Sequence, residues 1–220
     1  AIRSNPGATP FIVDAPVTIM ARSYDNGQWS ALTEADFTVD TIPASSTSLA
    51  VVEMLYNPVG ADTEELNAGF TDGDQFEFIQ LKNIGSRAVD LHGVRFTDGI
   101  NFDFSTSLIR ALSPGSYVIA VSDLDAFRFR NGNHHDALIA GQYTGRLNNG
   151  GEHLRLIGPS GEIIQDYSFS TSSPWPDLSD RDGHSIQIID PSASHDDGEN
   201  WRASGSMGGN PGGTMSFAIW

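Results

Sequence analysis

Short apolar or alternating runs return roughly every ten to fifteen residues along this chain, and Gly, Pro, Asn, Asp and Ser fill the gaps between them. Apolar residues at period two, bounded by turn formers, are the pattern of antiparallel strands. The pattern predicts an all-β, antiparallel β-sandwich. The clearest runs are Val17-Thr18-Ile19-Met20-Ala21-Arg22, Leu49-Ala50-Val51-Val52-Glu53-Met54-Leu55, Phe76-Glu77-Phe78-Ile79-Gln80-Leu81 and Tyr117-Val118-Ile119-Ala120-Val121. His153-Leu154-Arg155-Leu156-Ile157, Ile163-Ile164-Gln165-Asp166-Tyr167-Ser168-Phe169 and Ser185-Ile186-Gln187-Ile188-Ile189 complete them. Phe37-Thr38-Val39, Val94-Arg95-Phe96 and Phe102-Asp103-Phe104 are weaker.

Turn chemistry adds local detail. Gly158-Pro159-Ser160-Gly161 separates two strong runs, with proline supplying a fixed φ and glycine a positive one, so those strands should form a hairpin. One short helix of two turns is expected from an N-cap at Ser122, with Asp123 and Asp125 in its first turn, through Phe127 toward Arg130, ending at Asn131-Gly132. Residues 41–48 are small, polar and proline-punctuated, and read as a linker. The expected organisation is a partial immunoglobulin-like segment (1–40), the linker (41–48), a sandwich domain (49–213) and a tail (214–220). Residues 204–213, rich in glycine, have little to bury, whereas Phe217, Ile219 and Trp220 could add a last strand.

Composition narrows the function classes. The 220 residues carry a formal charge of −16, and Lys82 is the only lysine, so phosphate backbones and anionic membrane surfaces would be repelled. The expectation is no nucleic acid and no membrane insertion. With no cysteine, disulfide scaffolds, thiolate nucleophiles and Cys-ligated metals are excluded. No apolar run approaches the ~20 residues that cross a bilayer. The opening Ala1-Ile2-Arg3 lacks a charged and apolar leader, which suggests a processed or excised piece. Acidity with almost no lysine keeps a chain soluble in salt, and points to an extracellular, saline setting.

A series of motifs carries a resemblance. Val52-Glu53-Met54-Leu55-Tyr56-Asn57-Pro58 is followed by Phe76-Glu77-Phe78-Ile79-Gln80-Leu81-Lys82-Asn83 and by Val89-Asp90-Leu91-His92-Gly93-Val94-Arg95-Phe96-Thr97-Asp98-Gly99. Then come Leu112-Ser113-Pro114-Gly115-Ser116-Tyr117, Thr144-Gly145-Arg146-Leu147-Asn148-Asn149-Gly150-Gly151-Glu152, Pro174-Trp175-Pro176 and Asn200-Trp201-Arg202-Ala203-Ser204. In that order they resemble the bacterial lamin tail domain across most of residues 48–213. Upstream, Pro10-Phe11-Ile12-Val13, residues 17–24, Gly27-Gln28-Trp29-Ser30 and Phe37-Thr38-Val39 resemble the C-terminal half of the immunoglobulin-like repeat that ends chitobiase-type β-hexosaminidases. The resemblance implies an immunoglobulin-like sandwich. It also implies a non-catalytic accessory module of a secreted or cell-surface bacterial protein, working beside neighbouring domains of that parent. No catalytic set comes with it. An acidic insertion, residues 62–74, departs from the family pattern.

Three constellations bear on chemistry. Asp62, Asp72, Asp74 and Glu77, with Glu64 and Glu65, offer oxygen donors for calcium, an ion that accepts six to eight oxygens in irregular geometry. They fall short of an EF-hand loop, and a solvated acidic loop is the competing expectation. Asp177, Asp180, Asp182, Asp190, Asp196, Asp197 and Glu199 flank the run at 185–189, where Asp-Gly pairs are equally the signature of tight turns. His134-His135-Asp136 contains metal-ligand types, but neighbours on one chain diverge and no H-E-x-x-H spacing occurs, so an enzyme is not expected. His92, His153, His184 and His195 are scattered. Trp175, between two prolines, with Tyr143 and Tyr56, is the candidate surface for an extracellular polysaccharide, provided the rings are exposed.

Overall fold

The computed structural model describes residues 17–37, 40–177 and 182–213. The runs at Pro10-Phe11-Ile12-Val13 and Thr38-Val39, Asp180, and the tail 214–220 lie outside the described residues. Two compact units divide the chain, residues 1–41 and 42–220.

In the first unit, β1 (Val17–Ala21) pairs antiparallel with β4 (Thr33–Phe37), and a short hairpin of β2 (Tyr24–Asp25) and β3 (Gln28–Trp29) lies between them. Asn26 (φ 46°) and Gly27 (φ 82°) both take positive φ at its tip, the geometry of a tight hairpin turn. Tyr24 and Trp29 face each other across the ribbon with ring centroids 4.6 Å apart, and the Arg22 guanidinium sits 4.3 Å from the Trp29 ring.

The second unit is all-β apart from short helical pieces. Its strands are β5 (Thr41–Pro43), β6 (Leu49–Leu55), β7 (Phe78–Asn83), β8 (Ala88–Asp90), β9 (Arg95–Asp98), β10 (Ile100–Asp103), β11 (Ala111–Leu112) and β12 (Tyr117–Val121). Then follow β13 (Ile139–Gln142), β14 (Thr144–Gly145), β15 (His153–Ile157), β16 (Ile163–Ser168), β17 (His184–Ile188) and β18 (Trp201–Met207). They form a six-stranded sheet in the order β13-β12-β7-β6-β17-β18, a five-stranded sheet β14-β10-β9-β15-β16, and a small sheet β11-β8-β5. Val51, Met54, Ile79, Leu81, Val118 and Ile186 of the first sheet share one buried core with Phe96, Phe102, Leu154, Leu156, Ile164 and Tyr167 of the second. The arrangement is sandwich-like. The expected hairpin is present: β15 and β16 pair antiparallel, Gly161 takes φ 88°, and the Gly158 N–H donates to the Glu162 carbonyl at 2.8 Å.

Four expectations need correction. β12 and β13 pair in parallel, joined by α2 (Leu124–Asn131) and a 3-10 turn (Asn133–Leu138). A parallel pair needs such a crossover, so the sheet is mixed. The helix starts one residue later than predicted, because Asp123 rather than Ser122 caps it, accepting from Asp125 N and Ala126 N. A second helix, α1 (Thr63–Ala68), forms inside the acidic insertion read as a loop. Residues 42–48 are built into the second unit rather than being a linker, with Ala44 and Ser48 buried and Ile42 packed against the core.

The six-stranded sheet is covered on its other face as well, which is why every residue of β6 is buried. Leu55, Phe78, Ile119 and Val121 pack there against Phe127 of α2. Beside them lies a polar group: Glu53, Gln80, Ser185 and Gln187, all fully buried. Residues 208–213 fold over it. Ser185 Oγ and the Asn210 N–H donate to Glu53 at 2.6 and 2.9 Å, and Gln80 Nε2 donates at 3.2 Å. The glycine-rich stretch expected to bury little is therefore a strap across the sheet, and burial pushes the Glu53 carboxyl above the usual range.

Candidate functional site

Trp175 lies in the 170–177 loop, where its N–H donates to the Ser172 carbonyl at 3.1 Å. Its indole stacks on Trp201 at the start of β18 (6.0 Å, 28°), and Trp201 stacks in turn on Tyr167 (6.2 Å, 23°). Trp201 is fully buried, and its Nε1 donates to the His195 carbonyl at 3.0 Å, which fixes the column. Gly198 allows the close packing: a Cβ there would sit 2.8 Å from Trp175 Cδ1. Beside the column is a groove of about 420 Å³, lined by Pro174, Trp175, Pro176, Asp177, Trp201, Arg202 and Ala203. Arg202 is exposed at its rim, with Nη1 donating to the Glu199 and Trp201 carbonyls at 2.8 Å each.

The three aromatic candidates do not make one exposed surface. Trp175 is only 8% exposed, Tyr143 2% and Tyr56 1%. Tyr56 packs on Phe169 with ring centroids 5.0 Å apart, and Tyr143 turns its hydroxyl inward to Glu77. Both tyrosines are spent on the core. Trp175 alone borders a groove.

The four acids considered for calcium are held in separate local roles. Asp62 caps α1 through Glu64 N and Glu65 N, and Asp72 caps the following 3-10 turn (Gly73–Phe76) through Asp74 N. Asp74 pairs with Arg146 at 3.2 Å. Glu77 is fully buried; its Oε2 accepts from the Tyr143 hydroxyl and the Leu147 N–H, both at 2.9 Å. Burial pushes the Glu77 carboxyl up to about 8, and pushes the Tyr143 hydroxyl well above its ordinary value. Among the described residues, no group of three or more His, Cys, Asp or Glu is arranged to hold a metal ion. Of the second acidic set, Asp190 and Asp197 accept within turns, from Ser192 and Glu199 N, and Asp196 accepts from Ser168 N at the end of β16.

The histidines are absorbed in similar ways. The His134 and His135 rings lie 3.9 Å apart, while Asp136 is taken by Arg128. Burial lowers the His135 pKa. His153 bridges Asp98 and Asp166 with both ring nitrogens, and its pKa is raised, chiefly by the hydrogen bond to Asp98. A ring engaged on both sides has no lone pair for a metal or a substrate proton. His195 sits against Tyr167 and Trp201, and Gln165 reaches from β16 to accept from Val51 N at 2.7 Å. These two satisfy the backbone where β6 bulges, since His195 Nε2 also lies 3.0 Å from the Val51 carbonyl.

No family model, curated protein or solved structure matches this chain. The site therefore rests on its own geometry. Sequence reasoning counted Glu65 only as an oxygen donor of the acidic loop; the structure buries it, held by Arg130 at 2.7 Å through both carboxylate oxygens, with Arg130 lying 3.3 Å over the Phe76 ring. The signal was present as Asp62-Thr63-Glu64-Glu65, a capping box by spacing. It also missed Glu53, whose burial depends on a segment more than 150 residues away, a distance of 157 positions to Asn210.

Proposed function

We propose that this chain is a non-catalytic, immunoglobulin-like β-sandwich module of the lamin tail type. It works as an extracellular attachment module of a larger secreted or cell-surface bacterial protein and positions a catalytic neighbour. Its ligand surface is the groove beside Trp175, and its ligand class is an extracellular polysaccharide. The observation that carries this is the groove itself: an apolar wall from the accessible edge of Trp175 and two prolines, with Trp201 buried behind it, and Arg202 and Asp177 as polar groups able to take hydroxyls. Support comes also from the carboxylates described above, which are taken up by helix caps, backbone donors and arginines, and from His153, whose two ring nitrogens are both taken by Asp98 and Asp166.

Binding to a panel of soluble and insoluble polysaccharides tests the proposal. Measurable affinity is expected, with a loss of at least tenfold in Arg202→Ala, a rim substitution that leaves the Trp175–Trp201 stack in place. Trp175→Phe keeps an aromatic wall and should retain part of the affinity. An absence of binding across the panel, or equal binding by Arg202→Ala, contradicts it.

A further inference from the structure

Glu77 stands at the entrance of β7, in the six-stranded sheet, yet its hydrogen-bond partners belong to a segment that crosses to the other sheet. Tyr143 and Leu147 flank β14, and β14 pairs with β10 at the edge of the five-stranded sheet. Both donors reach the same oxygen, Oε2. Among the described residues the buried Oε1 has no hydrogen-bond partner. We propose that Glu77 is a proton-operated clasp: its neutral carboxyl fastens residues 143–152 between the two sheets, and loss of the proton loosens that segment.

The geometry explains the direction. In the neutral acid Oε2 is a carbonyl-type oxygen that accepts both bonds, and the proton resides on Oε1. Once ionised, Oε1 carries charge where no donor faces it, and a buried charge without a partner is costly. The charged groups around it do not relieve that cost. Asp74, on the preceding 3-10 turn, and Glu152, at the far end of the segment, both disfavour a negative Glu77. Arg146 is paired with Asp74. Glu152 is itself shifted up by burial, with Asp98 adding to the shift. Opening the segment gives Oε1 water. With the closed carboxyl titrating near 8 and an open one near 4.5, opening becomes easier as pH rises between those values and levels off above them.

Residue-resolved amide hydrogen exchange, corrected for intrinsic rates, reads this at the Leu147 N–H. Between pH 5 and pH 8 its opening equilibrium should rise by about several hundredfold, and that rise should vanish in Glu77→Gln, which retains an oxygen for both donors. Glu152→Gln should keep most of it. Carbon-13 carboxyl NMR on the unmodified protein serves if the variant folds poorly: a Glu77 midpoint near 8 supports the clasp, and one near 4.5 overturns it. A pH-independent Leu147, or the same rise in Glu77→Gln, overturns it as well.

Discussion

Single side chains decide where charge and bulk are tolerated. Glu77 is the clearest case, because its folded pKa lies above the unfolded value. Such a group contributes stability that is complete below pH 4.5 and is lost as pH rises through about 8. Glu77→Gln should therefore narrow the stability difference between pH 5 and pH 8 by roughly 3 kcal/mol, readable in urea melts at the two pH values. Gly198 shows the steric counterpart. Gly198→Ala would place a methyl within 3.0 Å of three Trp175 ring atoms, and the ring cannot retreat from Trp201. We expect a loss of about 1–3 kcal/mol in thermal unfolding, together with weaker polysaccharide binding. The sequence identified Trp175 but not its exposure, because whether an aromatic ring in a loop stands out or lies flat depends on what packs behind it.

Elements built from local signals were legible, and those that depend on distant partners were not. The 158–161 hairpin and α2 follow from Pro, Gly and Asp at fixed offsets, and both formed within a residue of expectation. Helix α1 carried equally good signals, the Asp62/Glu65 capping-box spacing and a glycine, Gly69, at its end, but residues 62–74, with five acids, were read by composition rather than spacing. What makes so short a helix stable is tertiary, since isolated helices of this length do not persist. Arg130 on α2 holds Glu65 on α1 and covers Phe76. Arg130→Met removes the only cation described at this buried carboxylate, and should cost about 3 kcal/mol. Equilibrium urea unfolding measures that loss, and a value near zero would mean that the two helices hold together without the ion pair. The parallel strand β13 was invisible for a different reason, as strand direction is set by the crossover and leaves no mark on a four-residue run.

Across the second unit, the six-stranded sheet acts as the central layer, with the five-stranded sheet on one face and α2 with the 208–213 strap on the other. That burial explains why a central strand, β6, reads as nearly continuous apolar sequence and why its one charged residue, Glu53, needs the strap. Gly209 lies with φ 76° and no room for a side chain, a Cβ falling 2.5 Å from Glu53 Oε1. Gly209→Ala should lift the strap and lower the melting temperature by about 5–10 °C at pH 7, and a shift under 1 °C would mean that the strap contributes little. Of the chemistry considered from sequence, Asp62, Asp72, Asp74, Glu77, His153 and His195 are taken up by caps, ion pairs and core contacts, while Trp175 keeps a groove beside it. The whole account turns on that groove. Titrating isotope-labelled protein with fragments of a bound polysaccharide and following amide and indole NMR signals tests it most directly. The account predicts shifts concentrated at Trp175, Asp177, Arg202 and Ala203; shifts centred on another face of the molecule would contradict it.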